Sequence, residues 1–217
     1  MNNHSPAHIN MPSNIVVAPE KAAEGQQKID WVRRNMPILR QLESEFREQQ
    51  PFAGKRVLVS VHLEAKTAYL ALVMAAGGAH VAVTGSNPDS TKDDVVAALD
   101  ALGLHVYAKH GATLDEMHEY MSLALDIRPN VVIDDGGDIV ELLHDSRSEL
   151  SADVYGACEE TTTGVMRARA RAQAKALEFP VMLINEARCK YLFDNVHGTG
   201  QSVWDAVMRT TNLVLAG

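Results

Sequence analysis

Cysteine, basic excess and long apolar runs are all scarce in this chain, and each shortage removes a class of protein. Two cysteines among 217 residues, Cys158 and Cys189, make no disulfide framework and suit a reducing cytoplasm. Acidic residues outnumber basic ones 28 to 20, and the net charge of -8 argues against a general nucleic-acid binder. No apolar stretch approaches the roughly 20 residues of a membrane span. The start of the chain, rich in His, Asn, Pro and Ser, lacks the apolar core of a signal peptide. The nine histidines show no ligand spacing with one another or with the cysteines, so no metal is expected. Gly198-Thr199-Gly200-Gln201-Ser202-Val203 lacks a third glycine and follows no strand, which rules it out as a dinucleotide loop.

What is present is an ordinary globular composition, 46% hydrophobic and 22% charged, long enough for one domain with a substantial core. Residues 1–25 are expected to be a mobile tail and 26–217 the folded domain. Ile29, Val32, Met36, Leu39, Leu42 and Phe46 recur at helical spacing, with a kink or a junction of two helices expected at Pro37. From Lys55 onward short continuous apolar runs, 57–61, 79–84, 105–108, 131–133, 154–157 and 181–184, alternate with helical stretches near 65–76, 91–102, 114–126, 139–145, 162–177 and 202–214. Continuous runs suit strands buried on both faces. The alternation predicts an α/β fold, an open, mostly parallel Rossmann-like sheet with helices on both faces, preceded by an N-terminal helical segment.

In such a sheet the ligand crevice lies at the carboxyl ends of the strands, and the polar clusters of this chain fall there. His62-Leu63-Glu64-Ala65-Lys66-Thr67 follows the first strand. Ser86-Asn87 follows the second, with Asp89 or Ser90 expected to cap the next helix and Asn87 to shape the pocket floor. Asp134-Asp135-Gly136-Gly137-Asp138 follows a very apolar strand; capping explains one of its three repelling carboxylates but not all. Glu159-Glu160-Thr161-Thr162-Thr163-Gly164 opens a helix with exposed hydroxyls and free backbone N–H groups, suited to ribose or phosphate oxygens. Lys190 and Asp194 are four apart, so on a helix they share a face, either as a surface ion pair or as a catalytic lysine with its carboxylate. Arg167, Arg169 and Arg171 read as a solvated helix face.

These clusters, in this order, resemble the adenosylhomocysteinase (S-adenosyl-L-homocysteine hydrolase) family. The resemblance runs from about Ile29 to Gly217, and His-Leu-Glu-Ala-Lys-Thr-Ala is worded like its archaeal and thermophile-type branch. It implies a bound NAD that oxidises a ribose 3′-hydroxyl, elimination of homocysteine across the 4′ and 5′ carbons, addition of water and re-reduction. By motif, Lys190 and Asp194 would flank the 3′-hydroxyl and Glu160 would hold the ribose hydroxyls. Asp135 and His62 would move protons near the 5′ leaving group. Glu64, Lys66 and Thr67 would lie near the purine with Asn87 on the substrate side, and Thr161, Thr162, Thr163 and Asn195 would touch the nicotinamide end. Lys66 at the purine 6-position favours an oxo group and Glu64 an amino group.

Glu186, Cys158, His197 and Lys92 depart from the family's usual Asp, Ser, Tyr and Gln. The family's NAD domain is expected after Gly217. The chain is therefore expected to be the substrate-binding, catalytic half of such an enzyme, oligomeric and inactive alone, completed by a separate NAD-binding chain. A non-catalytic nucleoside-binding or regulatory module, a nucleoside dehydratase or S-inosylhomocysteine hydrolase subunit, and a fragment are the alternatives.

Overall fold

The computed structural model describes residues 10–216. Two helices come first, α1 (Ala22–Asn35) and α2 (Pro37–Gln49). They are separate because Met36 leaves helical geometry (φ -115°, ψ 79°) and Pro37 opens α2 at its first turn, where its missing N–H costs nothing. Strands and helices then alternate: β1 (Arg56–Val61), α3 (Ala65–Ala76), β2 (His80–Gly85), α4 (Asp93–Ala101), β3 (His105–Tyr107), α5 (Leu114–Leu125), β4 (Val131–Asp134), α6 (Asp138–His144), β5 (Gly156–Glu159), α7 (Thr162–Gln173) and β6 (Val181–Leu183). A π-helix, Lys190–Gly198, runs directly into α8 (Thr199–Thr211).

The six strands form one parallel sheet in the order β3-β2-β1-β4-β5-β6. This is the doubly wound order, whose direction of growth reverses between β1 and β4; a ligand crevice belongs outside the carboxyl ends of that pair. Alternate residues of β1 feed opposite cores. Val57, Val59 and Val61 pack with α1, α3 and α4, while Leu58 joins Val132 and the apolar faces of α5 and α6. Burial on both faces is the reason its sequence is a continuous apolar run.

The segment expected as a mobile tail through residue 25 is docked over much of its length. Asn14 Nδ2 donates to Asp100 Oδ1 (2.6 Å) and the Leu104 carbonyl (2.9 Å), and Asn14 Oδ1 accepts from Val106 N (3.0 Å). Ile15 adds a parallel bridge to Tyr107. These bonds cover the open edge of β3, whose unpaired N–H and C=O groups would otherwise invite another strand. Residues 1–9 of that expected tail lie outside the described residues.

Strand β5 lies two residues later than the apolar run suggested. Its last residue is therefore Glu159, which pairs in register with Asp134 of β4, as Asp134 does with Ser60 of β1. The shift adds Glu159 to a row of polar side chains, Thr84, Ser60 and Asp134, across the carboxyl edge of the sheet.

Candidate active site

The floor of the crevice is built by two buried carboxylates. Asp134 is fully buried, and its oxygens accept from the backbone N–H groups of Asp135 and Val140, both at 3.0 Å. Glu159 is 1% exposed. Its Oε1 accepts from Gly136 N (3.0 Å), Thr161 N (2.8 Å) and the Thr161 hydroxyl (2.8 Å). One carboxylate thus ties together the loop after β4 and the loop after β5. Gly136 (φ 107°) and Gly137 (φ 82°) give the first loop a left-handed backbone that other residues resist. Arg167 holds the same loop from outside, donating to the Gly136 carbonyl (2.9 Å) and Asp138 Oδ1 (2.6 Å). Arg169 pairs with Glu186, and Arg171 with Glu141 and Asp145, so the arginine row is a set of ion pairs rather than a freely solvated face.

Burial pushes the Asp134 carboxyl up to about 8, against the pull of the Val140 N–H, and the charge of Glu159 pushes the same way. The sign of the stability effect follows. Near the unfolded value of 3.8 and below, both states hold the proton. As pH rises toward 8 the unfolded chain releases a proton that the native chain keeps, so this group's contribution to stability is lost progressively. The unfolding free energy of Asp134→Asn relative to the native chain is expected to move in the variant's favour by about 1.4 kcal/mol per pH unit between roughly pH 5 and 7. A constant penalty sits beneath that slope, because the asparagine NH₂ must face a backbone N–H. Urea titrations at several pH values measure the slope, and a flat difference would refute the assignment of the proton to Asp134.

Above this floor the acid–base residues converge. The charges of Asp135, Lys190, His62 and Asp194 all act on the Glu160 carboxyl. Glu160 reaches solvent, but the walls around its carboxyl remove part of its water and raise its pKa, with Asp135 adding to the effect and Lys190 opposing it. Asp135 is buried and accepts from the Ser86 hydroxyl at 2.8 Å. His62 Nε2 lies 3.4 Å from the same Asp135 oxygen. The Glu160 backbone N–H is stitched to the Asp134 carbonyl at 3.1 Å, which fixes the two loops relative to each other. His62, Asp135 and Glu160 follow three strand ends, and Lys190 and Asp194 lie on the π-helix, near enough for their charges to act on Glu160.

Other expected site residues have local partners. Glu64 caps α3 by accepting from Lys66 N at 3.0 Å, and Lys66 Nζ lies 3.7 Å from the same oxygen. Thr67 is buried and donates to the His62 carbonyl at 2.6 Å, so it supports the His62 loop rather than facing the cleft. Asn87 Oδ1 accepts from Asp89 N at 2.9 Å, a local turn. The Thr161 hydroxyl accepts from Gly164 N as the N-cap of α7 and donates to Glu159. Thr162 and Thr163 are exposed at the start of α7, and the Thr162 hydroxyl accepts from Asn185 Nδ2 at 3.3 Å. Asn195 is exposed on the π-helix.

Two expectations are corrected. Lys190 does not pair with Asp194 among the described residues; its Nζ donates to Asn185 Oδ1 at 2.5 Å. The π-helical winding changes which residues share a face, so the four-residue spacing of an α-helix does not apply. Neither Asp89 nor Ser90 caps α4, whose N-cap is Lys92 with no side-chain bond. The Ser90 hydroxyl is turned instead to His62. The sequence places Ser86, Asn185 and Glu159 at the strand ends but assigns none of them a role of its own, since nothing local in their surroundings distinguishes them from turn or capping residues.

A sequence profile described as S-adenosyl-L-homocysteine hydrolase matches residues 14–153, more than half of the chain. The chain belongs to that family. It is 55% identical over 196 residues to the adenosylhomocysteinase of Pyrococcus abyssi, covering 90% of this chain and 46% of the relative. It is 50% identical over 194 residues to the S-inosyl-L-homocysteine hydrolase of Methanocaldococcus jannaschii, covering 89% and 47%. Against the adenosylhomocysteinase of Thermotoga maritima the identity is 48% over 193 residues, covering 89% and 48%. The chain thus spans about half the length of these family members. Among the described residues no helix is long and apolar enough to cross a membrane.

Proposed function

We propose that this chain is the nucleoside-binding, acid–base half of an adenosylhomocysteinase-like hydrolase, completed by an NAD-binding half. The observation that carries this reading is the pairing of His62 with the buried Asp135 at the carboxyl edge of the sheet, near Glu160, whose carboxyl also feels the charges of Lys190 and Asp194. A module that only bound a nucleoside would need hydroxyl acceptors, but not a lysine and a histidine set against carboxylates. Glu160 and Asp194 accept the ribose hydroxyls. Lys190, held by Asn185, exchanges a proton with the 3′-hydroxyl. His62 and Asp135 give and take protons at the 5′ side, where homocysteine leaves and water adds.

The residues present fit one wall of an NAD site. Thr162, Thr163 and Asn195 offer exposed polar groups to it, and the pyrophosphate would be cradled by a glycine-rich turn of the NAD-binding half. NAD bound there would supply the hydride acceptor and donor for oxidation and re-reduction of the ribose.

A second feature supports completion by another folded half. The π-helix and α8 bury no residue, although they carry Tyr191, Phe193, Val196, Val203 and Trp204. An amphipathic pair of helices left with its apolar side open is a surface that wants a partner.

The test is complementation. The chain is mixed with the separately expressed NAD-binding half of the Pyrococcus abyssi relative and NAD, and homocysteine thiol release from S-adenosylhomocysteine is followed. Activity in the mixture and in neither half alone is the expected result. A stable complex with no thiol release would overturn the catalytic reading. Relatives named for adenosyl and for inosyl substrates are about equally similar. The same assay with S-inosylhomocysteine therefore decides whether Glu64 or Lys66 meets the purine.

A further inference from the structure

The contacts of His62 define which of its ring nitrogens is free to exchange a proton. Its Nδ1 lies 2.6 Å from the Ser90 Oγ. The Ser90 hydroxyl also lies 2.9 Å from the backbone carbonyl of Asn87, and donates to it. That carbonyl can only accept, and its second lone pair takes the Thr91 hydroxyl at 3.1 Å. A serine hydroxyl has one hydrogen. With that hydrogen committed to Asn87, the hydrogen between Ser90 and His62 must come from the imidazole. On its other side, Nε2 lies 3.4 Å from Asp135 Oδ2, which accepts from Ser86 and keeps a second lone pair; that contact is long and the Ser90 contact short, so the single hydrogen of the neutral ring sits on the Ser90 side and a second, when the ring takes one up, on the Asp135 side.

The backbone around this chain of bonds is held independently. The His62 carbonyl accepts from the Thr67 hydroxyl (2.6 Å) and from Glu64 N (3.0 Å). The Asn87 side chain closes its own turn onto Asp89. Ser90 is therefore presented to the histidine by a turn that does not depend on the histidine.

We propose that Ser90 is a positioning residue that keeps a hydrogen on His62 Nδ1 and so makes Nε2, on the Asp135 side, the nitrogen that exchanges protons. The tautomer is a property of this chain alone; that the exchange serves a 5′ leaving group rests on the function proposed above. A carbonyl fixing a hydroxyl, and the hydroxyl fixing an imidazole, is a two-step relay of the kind by which a partner at one ring nitrogen determines the state of the other.

The test is long-range ¹H–¹⁵N NMR of the imidazole rings in the ¹⁵N-labelled chain, at a pH where His62 is neutral, with the His62→Gln variant identifying its signals. The expected pattern is a protonated Nδ1 and a bare Nε2 in the native chain. Ser90→Ala is expected to lower the ratio of the Nδ1–H to the Nε2–H form by about tenfold or more, and Ser90→Thr, which keeps the hydroxyl, to restore it. An Nε2–H tautomer in the native chain, or a Ser90→Ala spectrum like the native one, overturns the proposal. If Ser90→Ala does not fold, the native spectrum still decides. In the complemented enzyme Ser90→Ala should lower kcat roughly tenfold or more with KM little changed. An inert complemented enzyme together with the expected tautomer would refute the proposed function and leave the role of Ser90 standing.

Discussion

Lys190→Met is expected to lower turnover by the complemented enzyme by roughly 100-fold to 10,000-fold, the range in which a positioned acid–base group contributes. Methionine keeps the length and apolar stem of lysine but can neither hold nor release a proton. Lys190→Arg should not rescue, because a guanidinium stays protonated at any usable pH and its fork does not match a single acceptor. The acceptor here is Asn185 Oδ1, 2.5 Å from Nζ, and the Asn185 amide is itself turned toward Thr162. Lys190 is half-buried at the start of a π-helix that buries nothing, so stability should move by no more than about 0.5 kcal/mol. Steady-state kinetics and a thermal melt on the same variant separate the two effects. A Lys190→Met enzyme that retains native kcat would refute the assignment of this lysine to the 3′-hydroxyl.

Gly164→Ala is expected to be among the most destabilising single changes the chain can take, although Gly164 sits in a helix where alanine is ordinarily favoured. A Cβ there would stand 2.1 Å from Glu159 Cδ and 2.3 and 2.4 Å from its two oxygens. No flexible tip can swing aside, because the Glu159 carboxylate is buried and bound to both site loops. Moving it breaks the bonds to Gly136 and Thr161 together. Overpacking of this kind costs about 3 kcal/mol, which in a chain of this size is a drop in Tm of about 6–12 °C. Gly200→Ala in α8 is the control. A Cβ at Gly200 meets nothing within 4 Å, so that change should leave Tm unchanged or raise it slightly. Equal melts for the two variants would show that Glu159 is not the clamp described here.

Both experiments bear on residues of unequal legibility. Lys190 stands out in the sequence because a lysine, an aspartate and an asparagine cluster after an apolar run. Its partner does not. The four-residue spacing to Asp194 presumes an α-helix, and the wider π-helical turn sends the ammonium to Asn185 instead. Glu159 was visible as one of two adjacent glutamates, but its depth was not. The boundary of β5 depends on pairing with β4, which sets Glu159 against Asp134 and closes water out from both. Ser90 has the look of a helix cap, and only the approach of the loop after β1 shows that its hydroxyl faces an imidazole 28 positions away in the chain.

By itself the sequence determined the alternation of buried strands and helices, the parallel sheet and the edge at which the polar clusters gather. Those properties follow from local periodicity and from the need to cover both faces of the sheet. The tertiary structure decided which of the clustered polar groups are buried and bonded and which stay open to solvent. It buried Asp134 and Glu159, bonded Thr161 to Glu159 and Thr67 to the His62 carbonyl, and set His62 against Asp135 with Glu160, Lys190 and Asp194 near enough for their charges to interact. The reason is physical. Strand register and hydroxyl direction are settled by partners far away in the chain, and no local pattern of residue types encodes them.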